Sequence, residues 1–165
     1  MNATPETAVG SAVPLLLNFR EVLVAKGFVV EVHAINGRAL CVHERDGYWI
    51  YGVNPGGMAA VGQDAASARR EFRVAFSGIL REIAVECDSS SAFDAAVRAF
   101  FGDTNRGYEQ DWQAAVAAVR AGDVAVEGLA RSSADAPLTV TVNVKAVADI
   151  KTRDIEADLH LDLAA

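Results

Sequence analysis

Residues 28–44 read Phe28-Val29-Val30-Glu31-Val32-His33-Ala34-Ile35-Asn36-Gly37-Arg38-Ala39-Leu40-Cys41-Val42-His43-Glu44, and the fold class turns on them. Runs rich in apolar and β-branched residues flank Asn36-Gly37. That dipeptide favours a two-residue hairpin because both positions tolerate positive φ. The pattern predicts two antiparallel strands, 28–35 and 38–44, joined at Asn36-Gly37. Asp46-Gly47 repeats the turn signal, and residues 48–53 supply a third strand. Asn54-Pro55-Gly56-Gly57 ends it, since proline cannot donate to a ladder. Met58 to Gly62 reads as a short fourth strand. Strands joined by such tight turns are antiparallel, which places the chain among α+β proteins and not doubly wound ones.

Upstream, Leu16, Phe19, Leu23 and Val24 recur at helical spacing after Pro14, and Gly27 suits the left-handed residue past a helix end. A helix is therefore expected before the first strand. Downstream, Asp64 is placed to cap a long helix with an apolar stripe of Ala68, Phe72, Phe76, Ile79 and Ile83. Asp88-Ser89-Ser90-Ser91 breaks it and caps a second helix carrying Phe93, Val97, Phe100 and Phe101. A third runs from about Tyr108 to Ala121 on the stripe Tyr108, Trp112, Val116 and Val119, with Gly122 as its stop. Arg131 to Pro137 reads as a hinge or exposed loop. Leu138 to Val144 and Ile155 to Leu163 both alternate as half-buried strands.

The expected architecture is thus a three- to four-stranded antiparallel sheet with a long helix on one face, plus C-terminal helices and two C-terminal strands. Residues 1–12 read as a flexible N-terminus. Residues 13–88 form a β-β-β-α module with a preceding helix, and residues 89–165 a helical and β extension packed on the same domain.

At 165 residues, 52% of them hydrophobic and 22% charged, the chain can bury about two thirds of its unfolded surface. It needs neither metal nor disulfide to hold a core. A net charge of −7 disfavours nucleic acid and anionic lipid and favours a basic protein partner. No run approaches the roughly 18 apolar residues of a membrane span. Val13 to Leu17 is too short for a leader, so the expected location is cytoplasmic. Cys41 and Cys87 lack metal-ligand spacing. No GxGxxG, P-loop, HExxH or GxSxG motif occurs. No catalytic residue, cofactor or metal is therefore assigned, and the chain is read as a non-enzyme.

Cys41 and His43, two apart on a strand, point the same way and could pair, but the reading preferred is that both simply sit on a partly buried sheet face. The turns set a register in which Val32 opposes Cys41 and His43 opposes both Val30 and Ile50. One face then carries Val30, Val32, Ala34, Ala39, Cys41 and Ile50, awaiting the long helix. The other carries Glu31, His33, Ile35, Arg38, Leu40, Val42, Trp49, Tyr51 and Val53. That mixture is characteristic of protein interfaces. Later helices or the C-terminal strands are its alternative cover. The last strand turns Asp154, Glu156, Asp158, His160 and Asp162 one way, toward a basic partner, a hard cation or solvent. Arg69, Arg70 and Arg73 form either a phosphate contact or a solvated helix face. The partner-binding candidates are Trp49, Tyr51, His33, Arg38, Glu156, Asp158, His160 and Asp162, with a second copy of the chain among the expected partners.

Between Ala39 and Glu86 the sequence resembles the HicB-like antitoxin family. The resemblance rests on Val42-His43-Glu44-Arg45-Asp46-Gly47-Tyr48-Trp49-Ile50-Tyr51, on Asn54-Pro55-Gly56-Gly57-Met58, and on Val61-Gly62-Gln63-Asp64. A helix opening Ala65-Ala66-Ser67-Ala68-Arg69-Arg70-Glu71 follows. The usual Pro-Asp-Leu-Pro-Gly loop is altered, and the C-terminal half shows no helix-turn-helix or ribbon-helix-helix pattern. The resemblance implies a small β-β-β-α module, like a degenerate RNase H or dsRNA-binding fold, that neutralises a small basic ribonuclease. The function expected is a non-catalytic protein-binding module of antitoxin or immunity type. The alternative is a small-molecule or RNA-binding α+β domain, with or without weak enzymatic activity.

Overall fold

A computed structural model describes residues 12–150 and 157–165 of the chain. They form an α+β fold of seven strands and three helices. The strands are β1 (Val13–Ala25), β2 (Phe28–Glu44), β3 (Gly47–Asn54), β4 (Ala59–Gly62), β5 (Arg131–Ser132), β6 (Thr139–Lys145) and β7 (Asp158–Ala164). The helices are α1 (Ala65–Glu86), α2 (Ser90–Gly102) and α3 (Arg106–Ala121), and a 3-10 turn spans Val147–Asp149. The sheet runs β4-β3-β2-β1-β7-β5, with β6 also paired to β2. Among the described strands the β5–β7 pairing alone is parallel, so the sheet is mixed. It is larger than the three or four strands expected. The C-terminal part supplies three strands and not two, and β5 lies inside the segment read as a hinge. Among the described residues, no helix is long and apolar enough to cross a membrane.

The segment expected to be an N-terminal helix is β1, a central strand between β2 and β7. Leu15, Leu16 and Leu17 are all buried, because both faces of the sheet are covered here. A strand buried on both sides carries a continuous apolar run, which periodicity alone cannot distinguish from helix. Gly27 does adopt positive φ (77°), but within the two-residue turn that pairs Ala25 with Phe28.

Asn36-Gly37 is no hairpin either. β2 continues through it as one 17-residue strand. Asn36 alone takes positive φ (61°), and the β1–β2 register slips between Leu17 and Phe19, which makes this a β-bulge. Asn18 Oδ1 accepts a hydrogen bond from the Asn36 amide at 3.0 Å, satisfying a donor that the bulge removes from the ladder. Gly37 is required for space: a Cβ there would lie 2.6 Å from Leu17 Cδ1. The extra residue also keeps Val30, Val32, Ala34, Ala39, Cys41 and Ile50 on one face, as the hairpin reading had them. All pack into the core beneath α1, Cys41 only partly buried. The next turn is Arg45-Asp46, not Asp46-Gly47. Ile50 therefore opposes Cys41 and Tyr48 opposes His43, a slip of two positions that leaves the faces unchanged.

On the first face, α1 lays Ala68, Phe72, Phe76, Leu80 and Ala84 against the sheet, a row at i+4 spacing. Ile79 and Ile83, expected in the stripe, lie at its partly buried margin. Phe76 stacks on Phe19 at 4.7 Å and on Phe101 of α2 at 5.7 Å. Asp64 caps α1 by accepting from the Ser67 amide (2.6 Å), and the Asp64 amide donates back to Ser67 Oγ (3.0 Å). The chain then passes round the end of β3 to the second face. Asn54 Nδ2 donates to the Phe101 carbonyl (2.6 Å) and the Asp103 carbonyl (3.0 Å). The Asn105 amide donates to the Val53 carbonyl at 2.8 Å. Gly56 sits so close that a Cβ would lie 2.3 Å from Asn105 N. So delivered, α3 buries Trp112, Ala115 and Val116 on Leu16, Leu40, Val53 and Ala164.

Candidate protein-binding surface

The second face is shared between α3 and solvent, and its aromatic residues gather where the two meet. Trp49 and Tyr51, two apart on β3, point the same way. They stack at 5.5 Å with planes 4° apart. Tyr51 stacks in turn on Tyr108 of α3 at 4.8 Å. All three rings are half-buried. Acidic side chains fix them: Trp49 Nε1 donates to Asp46 Oδ1 at 3.0 Å, and Tyr51 Oη to Glu44 Oε1 at 2.7 Å. Burial, with Glu44 beside it, pushes the Tyr51 phenol well above its ordinary value, so the hydroxyl stays a donor. Beside the ladder runs a groove of about 520 Å³ between Leu40, Val42, Tyr108, Asp111 and Ala118.

At the other end of β2 the second face is polar. Thr141, His33, Arg20 and Asp158 form one row across β6, β2, β1 and β7. Arg20 (2.5 Å) and Lys145 (3.1 Å) both bond Glu31. Burial alone would raise the Glu31 carboxyl, but these two partners overcome it and hold the group below its ordinary value.

The predicted partner-binding residues are thus divided. Trp49 and Tyr51 stand together in the ladder. His33 and Asp158 share the polar row. His160 Nε2 and Asp162 Oδ1 bond each other at 2.9 Å, and buried Asp162 also accepts from Ser132 Oγ at 3.0 Å. Arg38 is drawn under α3, bonded to Glu109 at 2.6 Å with its guanidinium over the Trp112 ring. Asp154 and Glu156, like the N-terminal segment 1–11, lie outside the described residues. Tyr108, Glu44, Asp46 and Asp111 were missed as members of the site. Tyr108 was legible as part of the α3 stripe, but nothing in its spacing says that α3 crosses to β3.

The other candidates resolve differently. Burial raises the Cys41 thiol, which disfavours a reactive thiolate. His43 stacks on Tyr48 at 4.4 Å. Arg69 bonds the Leu159 carbonyl on β7 and Arg73 the Ala157 carbonyl just before it, so neither stands as a free phosphate contact. Compared with known proteins, the chain matches no family model, no curated protein and no solved structure.

Proposed function

We propose that this chain is a non-catalytic protein-binding domain that engages a basic partner, in the manner of an antitoxin or immunity-type neutraliser. The observation that carries the reading is the Trp49–Tyr51–Tyr108 ladder with Glu44 and Asp46 bonded to its edge. Aromatic faces attract guanidinium and ammonium groups, and adjacent carboxylates complete the pair. Tryptophan and tyrosine held rigid at a half-buried margin are typical interface anchors. The net charge of −7 adds long-range attraction for such a partner.

Protamine, an arginine-rich polypeptide, is a suitable probe. Trp112 is buried, so quenching of tryptophan emission reports on Trp49. Saturable, salt-sensitive quenching is expected, and Trp49→Ala, followed by calorimetry, should weaken binding by about 2 kcal/mol. Glu44→Gln should weaken it as well. Equal affinity in wild type and Trp49→Ala, or tighter binding of an RNA oligonucleotide, would overturn the reading.

A further inference from the structure

Among the described residues the sheet has three outer edges, and they are treated differently. β4 is four residues long, with Asp64 and Glu71 lining the groove beside it. β5 is two residues long, and at the start of β7 Arg69 bonds the Leu159 carbonyl and Arg73 the Ala157 carbonyl just before the strand. Short edges and covering charges are standard protections against strand pairing. β6 is seven residues long. Its first six residues, Thr139-Val140-Thr141-Val142-Asn143-Val144, carry no charge, proline or glycine, and its last, Lys145, is bonded to Glu31.

Arg98 Nη1 donates to the Val140 carbonyl at 2.8 Å, so that carbonyl points away from β2. In an antiparallel ladder a residue's amide and carbonyl share one side, so Val140, Val142 and Val144 direct theirs outward. Val144 is 65% exposed, and Val24 (79%) and Val147 (76%) gather with it round a groove of about 470 Å³.

We infer that β6 is a self-association edge, pairing antiparallel with β6 of a second copy about a two-fold axis at Val142. The occupant follows from charge and symmetry. A chain of net charge −7 repels its own copies, so self-contact is favoured where no carboxylate lies, and β6 has none. The strand is also its own complement, with Val142 opposite Val142 and Val140 opposite Val144. An isologous pairing of this kind closes at two and gains about six main-chain hydrogen bonds. Arg98, itself paired to Asp94 at the surface, covers one carbonyl and must swing aside. This inference is independent of the basic-partner reading, which concerns the opposite end of β2.

Light scattering on the full chain over a range of concentrations should give the mass of a dimer. Val142→Pro removes an outward amide without touching the β2 ladder, and should give a monomer with unchanged circular dichroism. Val144→Glu, at an exposed position, should raise the dimer dissociation constant at least tenfold. It decides the matter if the proline variant fails to fold. In a Cys41→Ser, Cys87→Ser background, Val142→Cys should form an intermolecular disulfide on oxidation. A wild-type monomer at every concentration, or a dimer indifferent to Val144→Glu, would overturn the inference.

Discussion

Asn36 shows how far single residues could be read. Its appetite for positive φ was legible and is realised, but Gly37 does not share it, and the dipeptide makes a bulge. What decided between bulge and hairpin was Asn18 on β1, whose side chain binds the Asn36 amide. That contact joins segments the local sequence cannot bring together. Glu21 was equally hidden. It is only 1% exposed beneath α1, bonded through Oε1 to Arg81 at 3.2 Å, with no hydrogen-bond partner on Oε2 among the described residues. Burial raises its carboxyl, and Ser77 and Arg81 oppose this only in part. A carboxyl with a raised folded pKa destabilises the fold as pH climbs through and above its ordinary value of 4.5. Glu21→Gln should therefore melt higher than wild type at pH 7. The gain should shrink as pH falls toward that value and be gone below it, where both states of Glu21 are protonated. Melts that fall for the variant at neutral pH would show that Arg81 outweighs burial.

Among the elements, the helices were the most legible, because each carries its own punctuation. Asp64 and Ser89 cap α1 and α2 with their side chains, and Gly122 closes α3 at φ 86°. These signals are local, as are the chain segments they govern. The error at β1 has the opposite origin: its central place depends on β7, which arrives near the other end of the sequence. The α1 stripe was right in kind and turned slightly, Leu80 and Ala84 taking the buried places expected of Ile79 and Ile83. Phe76, fully buried and touching Phe19, Phe72, Phe100 and Phe101, is the joint between α1, α2 and β1. Phe76→Ala should cost about 3–5 kcal/mol in denaturant unfolding. A loss below about 1 kcal/mol would mean that neighbouring rings collapse into the space.

For the whole molecule, the decisive event is the passage from one sheet face to the other at Asn54, Gly56 and Asn105. The sequence marked Asn54-Pro55-Gly56-Gly57 as a loop without showing that it receives the α2–α3 connection. Asn54→Ala leaves the Phe101 carbonyl without its side-chain donor, while the Asp103 carbonyl keeps only the Gly56 amide, at a cost of about 1–3 kcal/mol. It should also loosen α3, shifting Trp112 emission to the red; an unshifted spectrum would show that α3 is held from elsewhere. β2 divides its outer side between two partners. Residues 38–44 pair with β3 directly after the turn, whereas 29–35 wait for β6, which follows Pro137, 101 positions beyond Asn36. During synthesis that stretch is a vacant berth, and any β6 that reaches it first will fit. Two chains emerging side by side could therefore exchange β6 strands, trading an intramolecular sheet for an intertwined one with the same hydrogen bonds.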